Sequence, residues 1–324
     1  MILKPTSRNI SKAAQEIRSG NVVSFPTETV YGLGADAANE EAVKKIFHIK
    51  KRPSYNPLIV HLPDPSHIGR YADISDKMTK RRLMELSSFW PGPLSVVLKL
   101  KGGISKAATG GLNTVAIRIP SHPIALALLE ECRCPVAAPS ANIFSYVSPT
   151  TAEHVYESFG SQVGIILDGG DAEIGLESTV LSLVTDPPKI LRPGYITAEQ
   201  ICEKLGLEIQ LPSETEPKRP ESPGMLKKHY APHTPIVLKT SLPPAASVSN
   251  AGYIAFRADP KLDLQQFRTV SLLSPTGELE EVASKLYKAL REQDSMGLDF
   301  IVVDTCEESD LGTAIMDRLR RAAK

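Results

Sequence analysis

Cysteine is scarce in this chain. Cys132, Cys134, Cys202 and Cys306 are the four among 324 residues, too few and too scattered for a disulfide framework. Long apolar runs are missing too. No stretch approaches the ~20 residues of a membrane helix, and the opening MILKPTSRNI carries no apolar region of a secretory signal. A cytoplasmic location with no membrane partner is the expectation. Several catalytic signatures are also absent. There is no G-x-x-x-x-G-K-[ST] loop to cradle phosphates and no G-x-S-x-G elbow for a hydrolase. Cys132-Arg133-Cys134 is neither a C-x-x-C redox motif nor half of a zinc ribbon. His229 and His233 have H-x-x-x-H spacing, but Pro232 between them forbids a regular helix, and no protein-held metal is expected.

What remains is an ordinary globular composition, 42% hydrophobic and 23% charged, with room for two cores. Formal net charge is zero, yet residues 44–118 hold fourteen Lys/Arg against four Asp/Glu, a local surplus of ten positive charges. Such a surplus suits nucleotides or RNA; a solvated basic face is the alternative.

Strand patterns fall at Val22–Phe25, Leu58–Leu62, Leu94–Leu100, Val115–Ile119, Val136–Ala138, Ile165–Asp168, Thr179–Leu183 and Lys189–Leu191. Helix patterns fall at Glu40–Lys50 behind an Asn39 cap, Asp76–Phe89 behind Ser75, Pro123–Cys132 and Thr197–Leu205. This alternation predicts an α/β domain over residues 1–210. Residues 211–235 hold six prolines, which forbids regular structure and marks a linker. Met225, Leu226, Tyr230 and two histidines make it richer than a spacer needs. Strands at Ile236–Lys239, Tyr253–Phe256, Thr269–Leu273 and Phe300–Val303, with helices at Gly277–Gln293 and Leu311–Ala322, predict a small α/β domain over 236–324.

The candidate chemistry clusters at strand ends, where open α/β sheets bind ligands. Pro26-Thr27-Glu28-Thr29-Val30-Tyr31-Gly32-Leu33-Gly34 reads as a glycine-ended loop whose hydroxyls can orient a small polar substrate. Gly32–Ala37 matches G-x-G-x-x-A, but the next helix starts too late and no acidic residue follows at the required distance, so a dinucleotide fingerprint is set aside. A nucleotide must then be held by cations. Lys50 and Arg52 flank a helix end broken by Pro53, which lets both turn toward one ligand; helix-dipole complementation is the other reading. Arg118 interrupts an apolar strand and needs an anionic partner, either an internal carboxylate or a ligand. Arg192 poses the same question. Pro139-Ser140-Ala141-Asn142 and Gly175-Leu176-Glu177-Ser178-Thr179-Val180 add polar groups at further strand ends.

In this order the segments resemble the YrdC-like threonylcarbamoyl-adenylate synthases, in the long form with a C-terminal extra domain. The matching marks are PTETVYGLG at 26–34, Lys50-x-Arg52-Pro53 with Pro57-Leu58 and His61, Trp90-Pro91-Gly92-Pro93-Leu94, and Arg118-Ile119-Pro120. Next come Pro139-Ser140-Ala141-Asn142, Ser148-Pro149-Thr150, GLESTV at 175–180, Leu191-Arg192-Pro193-Gly194, Ser222-Pro223-Gly224-Met225 and His229-Tyr230-Ala231-Pro232. They span residues 26–232, and their joint order is specific although each alone is weak.

The resemblance implies a twisted, mixed open sheet with helices, followed by a small Rossmann-like α/β domain. It implies that L-threonine, bicarbonate and ATP, with Mg2+ bound on the ATP, form threonylcarbamoyl-AMP and pyrophosphate. It places Lys50, Arg52, Ser140 and Asn142 at the reacting groups. Thr29, Tyr31, His61, Arg118, Ala138 and Ser178 fall on the threonine, and Asn56, Thr114, Ser148, Arg192, Tyr230 and His233 on the nucleotide, beside the first four. It implies delivery of the product to a tRNA threonylcarbamoyl transferase complex, with weak tRNA contact at most. A noncatalytic RNA-binding module and a carbamoyl-adenylate-forming enzyme of the same fold are the competing readings. The chain departs from the family pattern at Ile143-Phe144-Ser145, where x-Ser-Gly is usual, at Ser95, where threonine is common, and at Leu226, where lysine is usual.

Overall fold

In a computed structural model, which describes residues 1–212, 220–223, 229–243, 246–260 and 263–323, the chain opens on β1 (Ile2–Leu3), α1 (Ser7–Arg18), β2 (Val23–Phe25), β3 (Gly32–Asp36) and α2 (Glu40–Lys50). It continues through β4 (Ile59–His61), α3 (Ile68–Tyr71), α4 (Lys77–Leu86), β5 (Leu94–Lys99), β6 (Thr114–Arg118) and α5 (Pro123–Cys132). Then come β7 (Val136–Ala137), α6 (Ala152–Phe159), β8 (Ile165–Leu167), β9 (Thr179–Ser182), β10 (Lys189–Arg192) and α7 (Ala198–Leu205). These ten strands form one mixed sheet in the order β1-β8-β2-β3-β7-β4-β6-β5-β9-β10.

The C-terminal part adds β11 (Ile236–Leu238), β12 (Gly252–Ala255), β13 (Thr269–Leu272), α8 (Leu279–Asp294), β14 (Ile301–Val303) and α9 (Asp310–Ala322). Its four strands pair in parallel in the order β11-β14-β12-β13. Both α/β expectations hold. Gly224, Met225, Leu226, Lys227 and Lys228 of the linker lie outside the described residues.

Three local readings change. Residues 32–36 are not a loop but strand β3, antiparallel to β2 with Phe25 opposite Gly32. The glycines serve packing: a Cβ on Gly34 would lie 2.7 Å from the Phe25 ring and 2.9 Å from Val136 Cγ1. The cap of α4 is Asp76, whose Oδ2 accepts the Thr79 amide at 2.8 Å, rather than Ser75. Helices α1 and α6 were not foreseen.

The main sheet is covered on both faces. Val43, Ile46, Leu86 and Ile117 belong to one core, and Ala13, Ile17, Phe25 and Leu128 to the other. The C-terminal core draws in Val30, Val147, Leu176 and Tyr230 from outside its own sheet, alongside Leu286, Ile315 and Leu319. The two α/β units therefore share an apolar seam. Truncating Leu176, fully buried there, to alanine would cost about 2–5 kcal/mol.

Candidate active site

Helix α2 shows how sequence aims side chains. Asn39 caps its start, with Oδ1 accepting the Ala42 amide at 3.1 Å, and Glu40 and Glu41 suit the positive end. Beyond Lys50, Lys51 turns left-handed (φ 52°), and the Arg52 amide donates back to the Phe47 carbonyl at 3.0 Å. This reversal sends Lys50 and Arg52 into the protein together. Lys50 Nζ donates to the Ser140 carbonyl at 2.6 Å and the Asn142 carbonyl at 2.5 Å. Burial, then the neighbouring Arg52, pushes its ammonium well below the usual lysine range. Arg52 donates to the Asn56 and Pro57 carbonyls at 3.3 and 3.0 Å, and its guanidinium lies 5.7 Å from the Phe144 ring centroid. Burial lowers it to about 9, an effect that Tyr230 opposes and Arg192 reinforces.

The loop after β2 is shaped by Thr27. Its hydroxyl donates to the Val30 carbonyl at 2.7 Å, so the 2.8 Å contact with Thr29 is donated by Thr29. The Tyr31 hydroxyl donates to the Gly170 carbonyl and accepts the Gly169 amide, at 2.8 and 3.0 Å. Opposite this loop, pairing of β4 with β6 sets His61 beside Arg118. Burial, followed by repulsion from Arg118, drives His61 down to about 3, so its imidazole is neutral at ordinary pH. Arg118 Nη2 lies 2.7 Å from Glu28 Oε1. That contact is an ion pair without hydrogen-bond alignment, because neither Glu28 oxygen nor Arg118 Nη2 has an aligned partner among the described residues. Of the two partners the sequence left open, the structure pairs Arg118 with the internal carboxylate.

Arg192, at the end of β10, donates from Nε and Nη2 to the Ser178 carbonyl at 3.1 and 2.8 Å, and from Nη2 to the Ser178 hydroxyl at 3.1 Å. The Ser178 and Ser95 hydroxyls lie 2.8 Å apart, so serine keeps the polar contact at position 95.

One pocket gathers Thr29, Tyr31, Arg52, His61, Arg118, Ala138, Ser140, Ser178, Arg192 and Tyr230. Thr27, Glu177 and His229 line it as well. The remaining sequence candidates lie elsewhere. Lys50 and Asn142 stand behind the Ser140 loop; the Asn142 amide donates to the Ile143 and Tyr146 carbonyls at 2.9 and 2.8 Å. Asn56 is buried behind Arg52, and neither polar atom of its side chain has a partner among the described residues. Thr114 opens β6 at the end opposite Arg118. Ser148 donates to Glu177 Oε1 at 2.5 Å. His233 stacks on Tyr146 at 4.9 Å and lines a second cavity of about 550 Å³ with Phe144 and Arg291, because the Ala231 amide is held on the Ser145 carbonyl and Pro232 carries the chain outward.

The pocket's free volume is about 40 Å³, space for a water or two, whereas small-molecule sites run from about 300 Å³ upward. His229 and Tyr230, both buried, are part of its wall. Among the described residues no group of three or more His, Cys, Asp or Glu can hold a metal, and no helix is long and apolar enough to cross a membrane.

The strand ends bring three buried arginines, Arg52, Arg118 and Arg192, to the lining of one pocket. Residues 15–194 match the Sua5–YciO–YrdC family, described as Telomere recombination, and residues 196–324 match the threonylcarbamoyl-AMP synthase C-terminal domain. The chain is 41% identical to the threonylcarbamoyl-AMP synthase of Bacillus subtilis (strain 168), covering 99% of this chain and 94% of that one. It is 40% identical to the protein of the same name from Pyrococcus abyssi, covering 96% and 93%. The crystal structure of P. abyssi Sua5 complexed with L-threonine superposes with a TM-score of 0.91 at 38% identity, covering 100% and 97%. This chain belongs to the threonylcarbamoyl-AMP synthase family, in its two-domain form.

Proposed function

We propose that the chain joins L-threonine, bicarbonate and ATP into threonylcarbamoyl-AMP and pyrophosphate, the activated donor for threonylcarbamoyladenosine modification of tRNA. The observation that carries this reading is the set of four buried basic side chains: Arg52, Arg118 and Arg192 line one pocket, and Lys50 stands directly behind it. A triphosphate, bicarbonate and an amino-acid carboxylate repel one another, and only fixed positive groups offset that repulsion where water is excluded.

Arg118 takes the threonine carboxylate, with Thr29, Tyr31, His61, Ala138 and Ser178 around the amino acid. Arg52, Ser140 and Arg192 face the nucleotide; Lys50 and Asn142 fix the Ser140 loop from behind, while Asn56, Thr114, Ser148, Tyr230 and His233 complete the nucleotide set. The amine of threonine attacks the carbon of bicarbonate, giving a carbamate with loss of water. A carbamate oxygen then attacks the α-phosphorus of ATP and pyrophosphate leaves. Positioning accounts for most of the acceleration, about 7–11 kcal/mol in favourable cases. Glu177, which lines the pocket, and Glu28, behind Arg118, are both engaged by arginines. Magnesium would accordingly arrive on the triphosphate rather than in a protein cage.

We divide the chain into a catalytic domain over 1–210, a lid over 211–235 and a C-terminal domain over 236–324. We place the reaction in the cytoplasm, with the product passed to a tRNA threonylcarbamoyl transferase complex. The test is pyrophosphate release from ATP with and without threonine and bicarbonate. Release that needs both supports the reading. Release with carbamoyl phosphate and no threonine would replace it by the carbamoyl-adenylate reaction, and tight salt-sensitive RNA binding without ATP consumption by an RNA-binding role.

A further inference from the structure

Glu177 stands between the two α/β units and is 5% exposed. On one side its Oε1 accepts the Ser148 hydroxyl at 2.5 Å. On the other, its Oε2 accepts the Tyr287 hydroxyl at 3.0 Å and Arg318 Nε at 2.8 Å. Tyr287 belongs to α8 and Arg318 to α9, so the C-terminal unit holds the carboxylate that holds Ser148.

Arg318 reaches further. Nη2 donates to the Pro193 carbonyl at 2.8 Å, directly after Arg192, and its guanidinium lies 4.9 Å from the Tyr230 ring centroid. Nη1 donates to Asp317 Oδ2 at 2.6 Å. Its nitrogens thus run to its own neighbour and to two groups that frame the pocket. Burial alone would raise the Glu177 carboxyl, but Arg318, then Arg192, then the Ser148 hydroxyl bring it down to about 2, so it stays charged. A buried ion pair is a poor device for stability alone, since packed apolar residues usually do as well. Here the pair ends on Ser148, Arg192 and Tyr230, all on the nucleotide side.

We infer that Arg318 is a positioning residue for nucleotide binding, acting through Glu177 on Ser148 and through the Pro193 carbonyl on Arg192, so that the C-terminal domain completes the active site without touching substrate. This inference rests on the reaction proposed above.

The test uses the full-length chain with Arg318→Met, Arg318→Lys, Glu177→Gln and the double variant Arg318→Met/Glu177→Gln. Thermal melts establish which variants are folded. ATP and threonine are then varied separately in the pyrophosphate assay, and each ligand's affinity is measured alone by calorimetry. A charge-assisted hydrogen bond is strong enough that Arg318→Met should weaken ATP binding about tenfold. Threonine affinity should fall by less than ATP affinity, because Arg118, His61 and Thr29 are untouched and Ser178, which Arg192 holds, is the one threonine-side group on the path. Lysine should recover part of the loss, since it restores the charge but not the fork. The double variant should be no worse than the worse single one, because both remove the same link. Unchanged ATP affinity in folded Arg318→Met overturns the inference, and so does a threonine affinity that falls in step, the mark of a mere scaffold. Should Arg318→Met not fold, Tyr287→Phe removes one hydrogen bond to Glu177 and is scored in the same way, with a smaller loss expected. If the unsubstituted chain shows no threonine-dependent pyrophosphate release, the proposed reaction fails, while calorimetry with ATP still decides the role of Arg318.

Discussion

Arg118, which lines the pocket, lies 2.7 Å from Glu28, both buried, in a contact that satisfies charge but not hydrogen-bond geometry. The protein thus keeps a carboxylate of its own on the guanidinium that we propose for the threonine carboxylate. A substrate entering here must share Arg118 with Glu28 or displace it. Removing one partner leaves the other charge buried and uncompensated, at a cost of about 3–5 kcal/mol.

Two substitutions separate these roles. Arg118→Met should raise the dissociation constant for threonine by at least ~100-fold, the scale of a lost buried charge pair. Glu28→Gln should lower the melting temperature of the empty protein and enlarge the rise that threonine produces, because the ligand then supplies the missing counter-charge. Melting curves with and without threonine check this. An unchanged threonine-induced shift in Glu28→Gln would show that the pair does not compete with substrate.

Lys50 and Arg52 should matter more for turnover than for threonine affinity. Lys50 ties two carbonyls of the Ser140–Asn142 loop, and Arg52 lines the pocket beside it. Lys50→Met is expected to reduce kcat by on the order of 10²-fold, because a misplaced Ser140 loop spoils positioning at the reacting groups, with threonine binding little altered. Arg52→Lys should not restore full rate, since a point charge cannot bond the Asn56 and Pro57 carbonyls as a fork does. Near-normal pyrophosphate release in either variant would remove these residues from the mechanism.

How far the sequence disclosed this site depended on the signal each residue left. Lys50 and Arg52 were legible because Pro53 ends the helix, and a short reversal at that point turns both inward. Arg118 was legible because a charge in the run Val115–Ile119 demands a partner, although Glu28 could not be chosen from many carboxylates. Strand β3 was hidden, since Gly32 and Gly34 carry no strand propensity and Gly34 is there to admit the Phe25 ring. Arg318 left a trace that passed unread: it falls on the apolar stripe Leu311, Ala314, Ile315, Leu319 and Ala322 of α9, and all six are buried. A charge in that register signals a buried partner, but Glu177 is 141 residues away.

The linker wall yields a prediction about product yield rather than rate. His229 and Tyr230 line the pocket, and as a lid they would keep water from the carbamate and the product. Tyr230→Ala should still release pyrophosphate but give less intact threonylcarbamoyl-AMP per pyrophosphate, because the carbamate and the product meet water. Chromatographic product ratios measure this. A ratio equal to that of the unsubstituted chain would mean that the linker is no lid, and full activity after deletion of 211–324 would mean the same.

Acid should unfold this protein earlier than its carboxylates require. His61 is brought down to about 3 by burial and then Arg118, and His154 to about 4 by burial and then Arg291. His229 is also driven well below the usual range, chiefly by burial. All three stay neutral in the folded chain while the unfolded chain protonates near the ordinary value of 6.5. Their contribution is therefore complete above about pH 6.5 and drains away as pH falls toward the folded values, at about 1.4 kcal/mol per pH unit for each proton bound only by the unfolded chain. Glu177 adds a later loss between 4.5 and about 2. Urea midpoints measured between pH 7 and 5 should fall steeply, and His154→Asn, outside the pocket, should make that slope shallower. A flat midpoint across that range would mean that these histidines protonate freely in the folded protein, and that the pocket around His61 is wet rather than dry.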